Sequence, residues 1–182
     1  APGLELHVST QASTTNWHTV QMWKELGATR VVAAREVSLA DLKEMKDNVD
    51  IEIESFVHGS MCISYSGRCL LSNYMTGNRD ANRGQCSQSC RWKYSLVESN
   101  RPGEYYPIEE DEHGTYIFNS KDLCLIHRIP DLYEAGVDSL KIEGRMKSVH
   151  YCATVAKVYR TAIDAYLKEG KDWYVRPEWI AE

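Results

Sequence analysis

The chain has 182 residues, 43% of them hydrophobic and 26% charged, proportions that fit one globular domain with a sizeable core. It has no run of eighteen apolar residues and no signal-peptide pattern, which argues against membrane insertion or secretion and makes a cytoplasmic location the expectation. A formal net charge of −5 disfavours a broad nucleic-acid-binding surface, so any RNA contact has to come from a local basic patch.

The chain opens on a period-two alternation. Leu4, Leu6, Val8 and Thr10 fall on one face, with Glu5, His7 and Ser9 on the other, which predicts a strand. A helix follows over Thr14–Leu26, stopped by Gly27, and then a more apolar strand over Arg30–Ala34. Ser38–Asn48 reads as a helix with Ser38 at its N-cap. Ile51, Ile53 and Val57 oppose Glu52, Glu54, Phe56 and His58 in a further strand. Near the end, Leu140 and Ile142 oppose Lys141, Glu143 and Arg145. A long helix over Ser148–Glu169 then carries Cys152, Val155, Tyr159, Ala162, Ile163 and Tyr166 on its apolar stripe.

Strand and helix alternating in this way predict a parallel α/β architecture. Between Gly59 and Ile129 the rhythm breaks into a stretch rich in Gly, Asn, Ser and Arg, with short strand-like pieces at Trp92–Val97 and Thr115–Phe118. The expected organisation is therefore barrel βα units over residues 1–58 and a Cys-rich insertion over 59–129. A last barrel strand and the long C-terminal helix would occupy 130–182. A complete (β/α)₈ barrel needs about 250 residues, so the fold expected is the C-terminal part of a TIM-like barrel, with a small complete α/β sandwich as the alternative. Ala1-Pro2-Gly3, which enters a strand almost at once, fits that expectation. Exposed strand edges would then call for the missing N-terminal barrel half or for a second copy of the chain.

In a barrel, the polar faces of the three alternating strands point inward. Glu54, His58, Lys141, Glu143 and Arg145 would then converge near the C-terminal mouth, with Glu54, His58 and Glu143 as candidate catalytic groups. The alternative is that these polar faces simply meet water.

The chain has six cysteines, five of them within the insertion. Cys62 and Cys69 are separated by six residues, Cys86 follows after sixteen, Cys90 after three and Cys124 after thirty-three. Four thiolates converging from one long insertion suit a cubane iron–sulfur cluster or a tetrahedral zinc. No compact C-x-x-C pair is present to decide between them. Cys152 reads as a buried small hydrophobe.

The run Glu54-Ser55-Phe56-Val57-His58-Gly59-Ser60-Met61-Cys62-Ile63-Ser64-Tyr65-Ser66-Gly67-Arg68-Cys69 resembles the signature of the collagenase-like U-thirty-two peptidase family. The likeness continues through Asn82–Cys86, Cys90–Tyr94, Asn119–Cys124 and Lys141–Lys147. Among the branches it is most similar to the prephenate-dependent tRNA uridine hydroxylases. That resemblance implies a four-iron, four-sulfur cluster on Cys62, Cys69, Cys86 and Cys124, while Cys90 by itself reads as a substitute ligand, a resolving thiol or a bystander. It also implies tRNA as substrate, oxygen-independent hydroxylation of the wobble uridine, and a small carboxylate such as prephenate as donor.

The peptidase name implies proteolysis, yet neither H-E-x-x-H nor G-x-S-x-G occurs. Glu54 and His58 would lie roughly 13 Å apart along a strand, too far to share one metal ion. A Cys62–His58 nucleophile pair is the remaining protease option, and a zinc-stabilised binding module is a third reading. For an anionic substrate the candidates are Lys141, Arg145 and Lys147. Arg83, Arg91, Lys93 and Arg101, interleaved with Trp92 and Tyr94, form a basic and aromatic stretch able to stack an unpaired base. The acidic run Glu109–Glu112 would steer RNA away from its own side.

Overall fold

The computed structural model describes residues 3–92, 94–107 and 122–181. In chain order its principal elements are β1 (Leu6–Val8), α1 (Trp17–Glu25), β2 (Ala28–Val32), α2 (Leu39–Asn48) and β3 (Glu52–Ser60). Then come α3 (Leu71–Thr76), β4 (Ser95–Leu96), β5 (Tyr106–Pro107), β6 (Asp122–Cys124), α4 (Ile129–Glu134), β7 (Ser139–Glu143), α5 (Val149–Glu169) and α6 (Pro177–Ala181). The longer helices start where a short polar side chain satisfies free backbone N–H groups. Asn16 accepts from the Thr19 amide, Ser38 forms a capping box with Asp41, and Ser148 accepts from Tyr151. β1 is shorter than its alternation predicts because the chain turns at Ser9 into a 3-10 turn over Thr10–Ala12.

β1, β2 and β3 pair in parallel, and β7 joins β3 in parallel. β6 pairs antiparallel with the last residues of β3, His58 opposite Cys124. β4 and β5 form a separate two-stranded ribbon, of which β4 lies within the segment expected to be strand-like at Trp92–Val97 and β5 does not. The strand expected at Thr115–Phe118 and the acidic run Glu109–Glu112 lie outside the described residues. The result is a mixed α/β fold around a five-stranded, predominantly parallel sheet. No helix among the described residues is long and apolar enough to cross a membrane.

Two apolar clusters hold helices against the sheet. Val8, Val31 and Ile53 pack on Val20 of α1 and on Leu42 and Met45 of α2. Val57 packs on Ile129 and Leu132 of α4 and on Val158 and Ala162 of α5. Val31, Met45, Ile53 and Val57 are fully buried, and each such side chain stabilises the fold by about 1.5–3 kcal/mol. A different face carries charge. Arg30 pairs with Glu52 at 2.6 Å and with Glu54 at 3.4 Å, and Lys141 Nζ lies 2.5 Å from Glu54.

One expectation about β3 is corrected. The β3–β7 ladder slips between Phe56 and His58, and a bulge of this kind turns over the alternation beyond it. His58 therefore does not continue the face of Glu54. It lies against α5, its ring 5.5 Å from Tyr159 and 5.9 Å from Tyr151. Gly59 follows with φ +98°, and a Cβ there would sit 2.0 Å from the Glu143 carbonyl oxygen. Only glycine lets the two strands come this close.

Candidate functional site: a thiol-lined cavity at the strand ends

The chain segments after β1, β2, β3 and β7 meet at one edge of the sheet, the carboxyl ends of its parallel strands, where open α/β folds place their ligands. A cavity of about 400 Å³ lies there. Its walls include Gln11 after β1, Arg35 after β2, Met61 and Cys62 after β3, and Glu143 and Arg145 at the end of β7. Cys69, Cys86 and Cys90 line the same cavity.

The loop that carries Cys62 and Cys69 is stapled to the strand ends by side chains. Ser66, buried, donates to Glu36 at 2.9 Å and accepts from the Arg35 amide at 3.1 Å. The Ser66 amide donates to Glu36 as well, at 3.1 Å. Gln11 accepts from the Gly67 amide at 3.1 Å and donates to the Ala81 carbonyl at 2.9 Å. At Gly67, φ is +74° and a Cβ would stand 2.2 Å from the Gln11 carbonyl oxygen, so the loop seats this deeply only with glycine there. The segment with Cys86 is tied to α3, since the Ser87 amide donates to Ser72 Oγ at 2.9 Å. Gln88 then bridges this segment to β7, donating to Glu143 at 3.2 Å.

Burial pushes the Cys62 and Cys90 thiols up from their ordinary pKa, and the charge of neighbouring cysteines adds to it. Cys62, Cys69, Cys86 and Cys90 thus surround one space, whereas Cys124 is exposed on β6. Cys124 lines a second cavity of about 320 Å³ with His58, Tyr151, Tyr159 and Trp179. Cys62 and His58 therefore line different cavities and form no nucleophile–base pair. Among the described residues no three His, Cys, Asp or Glu side chains stand close enough to hold a single metal ion. Cys152 packs under the end of β7, its Sγ 3.6 Å from the Gly144 carbonyl oxygen.

The other candidate residues divide clearly. Glu54 does not line the thiol cavity. It is 8% exposed and accepts from Lys141 at 2.5 Å and Ser139 at 2.9 Å. Burial works to raise its pKa, but these bonds and the charges of Lys141 and Arg30 outweigh it and hold the carboxyl below its usual range. Glu143 does line the cavity, accepting from Gln88 and from the Arg145 amide. Arg91 bonds Asp122 at 2.6 Å and the Met61 carbonyl at 3.2 Å, and Lys147 bonds Asp122 at 2.7 Å. Arg145 lines the cavity and is exposed. Trp92 is about half exposed and stacks on Tyr94, centroids 6.4 Å apart. Lys93 lies outside the described residues.

Burial lowers the His58 pKa, the nearby Asp122 opposes this, and the Lys147 charge adds to it. Arg35, which the alternation patterns do not single out, has its guanidinium 3.9 Å from the centroid of Phe56. The signal for it in the sequence is a cation directly after the apolar run Val31–Ala34, at the carboxyl end of a strand.

The fold and cavity define an α/β protein with converging cysteines at the ends of its parallel strands. The chain belongs to Peptidase family U32, whose sequence pattern it matches over residues 1–182. It is 54% identical over its whole length to tRNA hydroxylation protein P1 of Bacillus subtilis, covering 43% of that protein. It is 44% identical to tRNA hydroxylation protein P of Escherichia coli, over 90% of this chain and 45% of the relative. A 23S rRNA 5-hydroxycytidine synthase of Escherichia coli is 36% identical over 94% of the chain and 25% of that protein. The chain thus spans less than half the length of these curated relatives. No solved structure matches.

Proposed function

We propose that this chain is part of an RNA hydroxylase that modifies the wobble uridine of tRNA without molecular oxygen, using an iron–sulfur centre at the thiol-lined cavity. The observation that carries this reading is that Cys62, Cys69, Cys86 and Cys90 line one cavity in a chain whose relatives are named for tRNA and rRNA hydroxylation. The donor set fits a four-iron, four-sulfur cluster, held by Cys62, Cys69, Cys86 and a fourth thiol, Cys90 in the wall or Cys124 on β6. Four ligands of one zinc must crowd around a single ion, whereas each thiolate of a cubane binds its own iron and the set is more widely spaced. When bound, such a cluster supplies single electrons, a chemistry beyond ordinary side chains.

The chain's own residues supply the rest. Glu143, aimed at the cavity by Gln88 and the Arg145 amide, is placed to take or release a proton at its carboxylate. Arg145, exposed at the rim, is available to an RNA phosphate. Trp92 and Tyr94 offer a stacked aromatic surface for an unpaired base. The hydroxyl donor is a small carboxylate such as prephenate. The open parallel sheet is read as the C-terminal part of a (β/α) barrel, the site sitting at the barrel mouth.

Anaerobic purification followed by visible absorption and iron and sulfide analysis tests the centre. Nucleoside mass spectrometry of tRNA from cells carrying Cys62→Ala or Cys86→Ala tests the reaction. The expected results are brown protein and loss of the hydroxylated wobble nucleoside. Colourless protein holding only zinc, or unchanged tRNA in both variants, would overturn the proposal.

A further inference from the structure

The thiol cavity holds four cations with different surroundings. Lys141 is neutralised by Glu54 and Arg91 by Asp122. Arg145 reaches outward into water. Arg35 is the exception: its guanidinium makes no hydrogen bond or ion pair among the described residues, and its Nε is buried without a partner. The adjacent carboxylate, Glu36, is turned instead to Ser66. Burial pulls the Arg35 pKa below the ordinary guanidinium value, while Cys62, Glu143, Cys86 and Glu36 pull the other way. The group nevertheless stays a cation.

A buried donor without a partner costs about 1–3 kcal/mol, more when charged, so a fold that keeps one in a cavity wall leaves it for something that enters. The guanidinium carbon stands 3.9 Å from the centroid of the Phe56 ring, so the ring covers one side of the group, and with Nε buried the Nη1–Nη2 edge remains as the binding surface. That edge matches the two coplanar oxygens of a carboxylate.

We infer that Arg35 is the receptor for the carboxylate of a small organic acid bound in the thiol cavity. The inference deepens the reading above by assigning the co-substrate's anchor. A small acid fits the site better than the RNA backbone does. Arg35 lies in the wall of a cavity of about 400 Å³, within the size range of small-molecule pockets, whereas an RNA phosphate stays at the surface, where Arg145 is found.

The test uses iron-free protein, so it does not depend on the cluster or on turnover. Benzoate, benzamide and inorganic phosphate are titrated calorimetrically into wild type, Arg35→Lys and Arg35→Gln, after melting curves establish that each is folded. Wild type is expected to bind benzoate and not benzamide. Arg35→Lys, which keeps the charge but loses the planar fork, is expected to bind benzoate about tenfold more weakly, and Arg35→Gln weaker still. Equal affinity for benzoate and benzamide in wild type would overturn the inference without recourse to any variant. So would equal benzoate affinity in all three proteins, or phosphate binding tighter than benzoate and lost with Arg35. Failure of the iron analysis alone would remove the cluster reading and leave the carboxylate site standing.

Discussion

Replacing Glu54 by Gln asks whether this carboxylate is a structural counter-ion whose charge the fold uses. Its side chain is 11% exposed and holds Lys141 and Ser139, with Arg30 at 3.4 Å. Glutamine keeps the shape and an acceptor oxygen but removes the negative charge that strengthens the bonds from Lys141 and Ser139, a loss of about 1 kcal/mol each. Because the Lys141 side chain is 41% exposed, water screens part of that loss, which brings the expected total to about 1.5 kcal/mol. For a chain of this size that is a fall in Tm of about 3–6 °C near pH 7.

The pH dependence gives the sharper check. The Glu54 pKa is lowered on folding, so its contribution is complete above the unfolded glutamate value of about 4.3 and is lost as pH falls through the lower folded value. Wild type and Glu54→Gln should therefore converge in acid, where a protonated glutamate and a glutamine are nearly equivalent. Thermal melts by circular dichroism from neutral pH to about pH 3 would read this convergence. A gap that stays constant across the range, or no gap at neutral pH, would refute the account.

Gly59→Ala forces a Cβ to within 2.0 Å of the Glu143 carbonyl at φ +98°, and the expected loss is roughly 3 kcal/mol or more in urea-unfolding free energy; an unchanged midpoint would contradict the close strand approach. The fourth cluster ligand is decided by comparing Cys90→Ser with Cys124→Ser: the variant that removes it should lose iron and sulfide on anaerobic analysis, while the other retains them. His58, its pKa lowered chiefly by burial, contributes stability that is present above about pH 6.5 and lost as pH falls through its folded value. His58→Phe should therefore be less acid-sensitive than wild type in melts across that window, and equal sensitivity would show that folding does not lower the His58 pKa.

What the sequence reveals follows the kind of force at work. The first half is readable because burial against helices imposes a period on Val31, Ile51 and Ile53, and because Asn16 and Ser38 are side chains that cap helices. The segment after Ser60 is not readable in this way. Ser66 on Glu36, Gln11 on Ala81 and Ser72 on Ser87 are isolated bonds between side chains and distant backbone, and they leave no repeating pattern. Cys62, Cys69 and Cys86, which the spacing singles out, stand around one cavity together with Cys90, while Cys124 lines the neighbouring one. The slip at Val57 is invisible for a related reason, since a bulge is one extra residue in an otherwise regular alternation. Arg35 belongs to no periodic face, so no alternation marks it.

The irregular ladder beside Val57 gives β3 a division of labour. Glu54 and Phe56 serve the charged face and the cavity where the cysteines gather, His58 serves the aromatic pocket under α5, and Ser60 returns to the cavity wall. Tyr151, Thr154, Val155 and Trp179 line that second pocket together with His58 and Cys124 and do not line the thiol cavity. Packing and chemistry thus share one strand, and Cys124 is the cysteine that stands on the packing side.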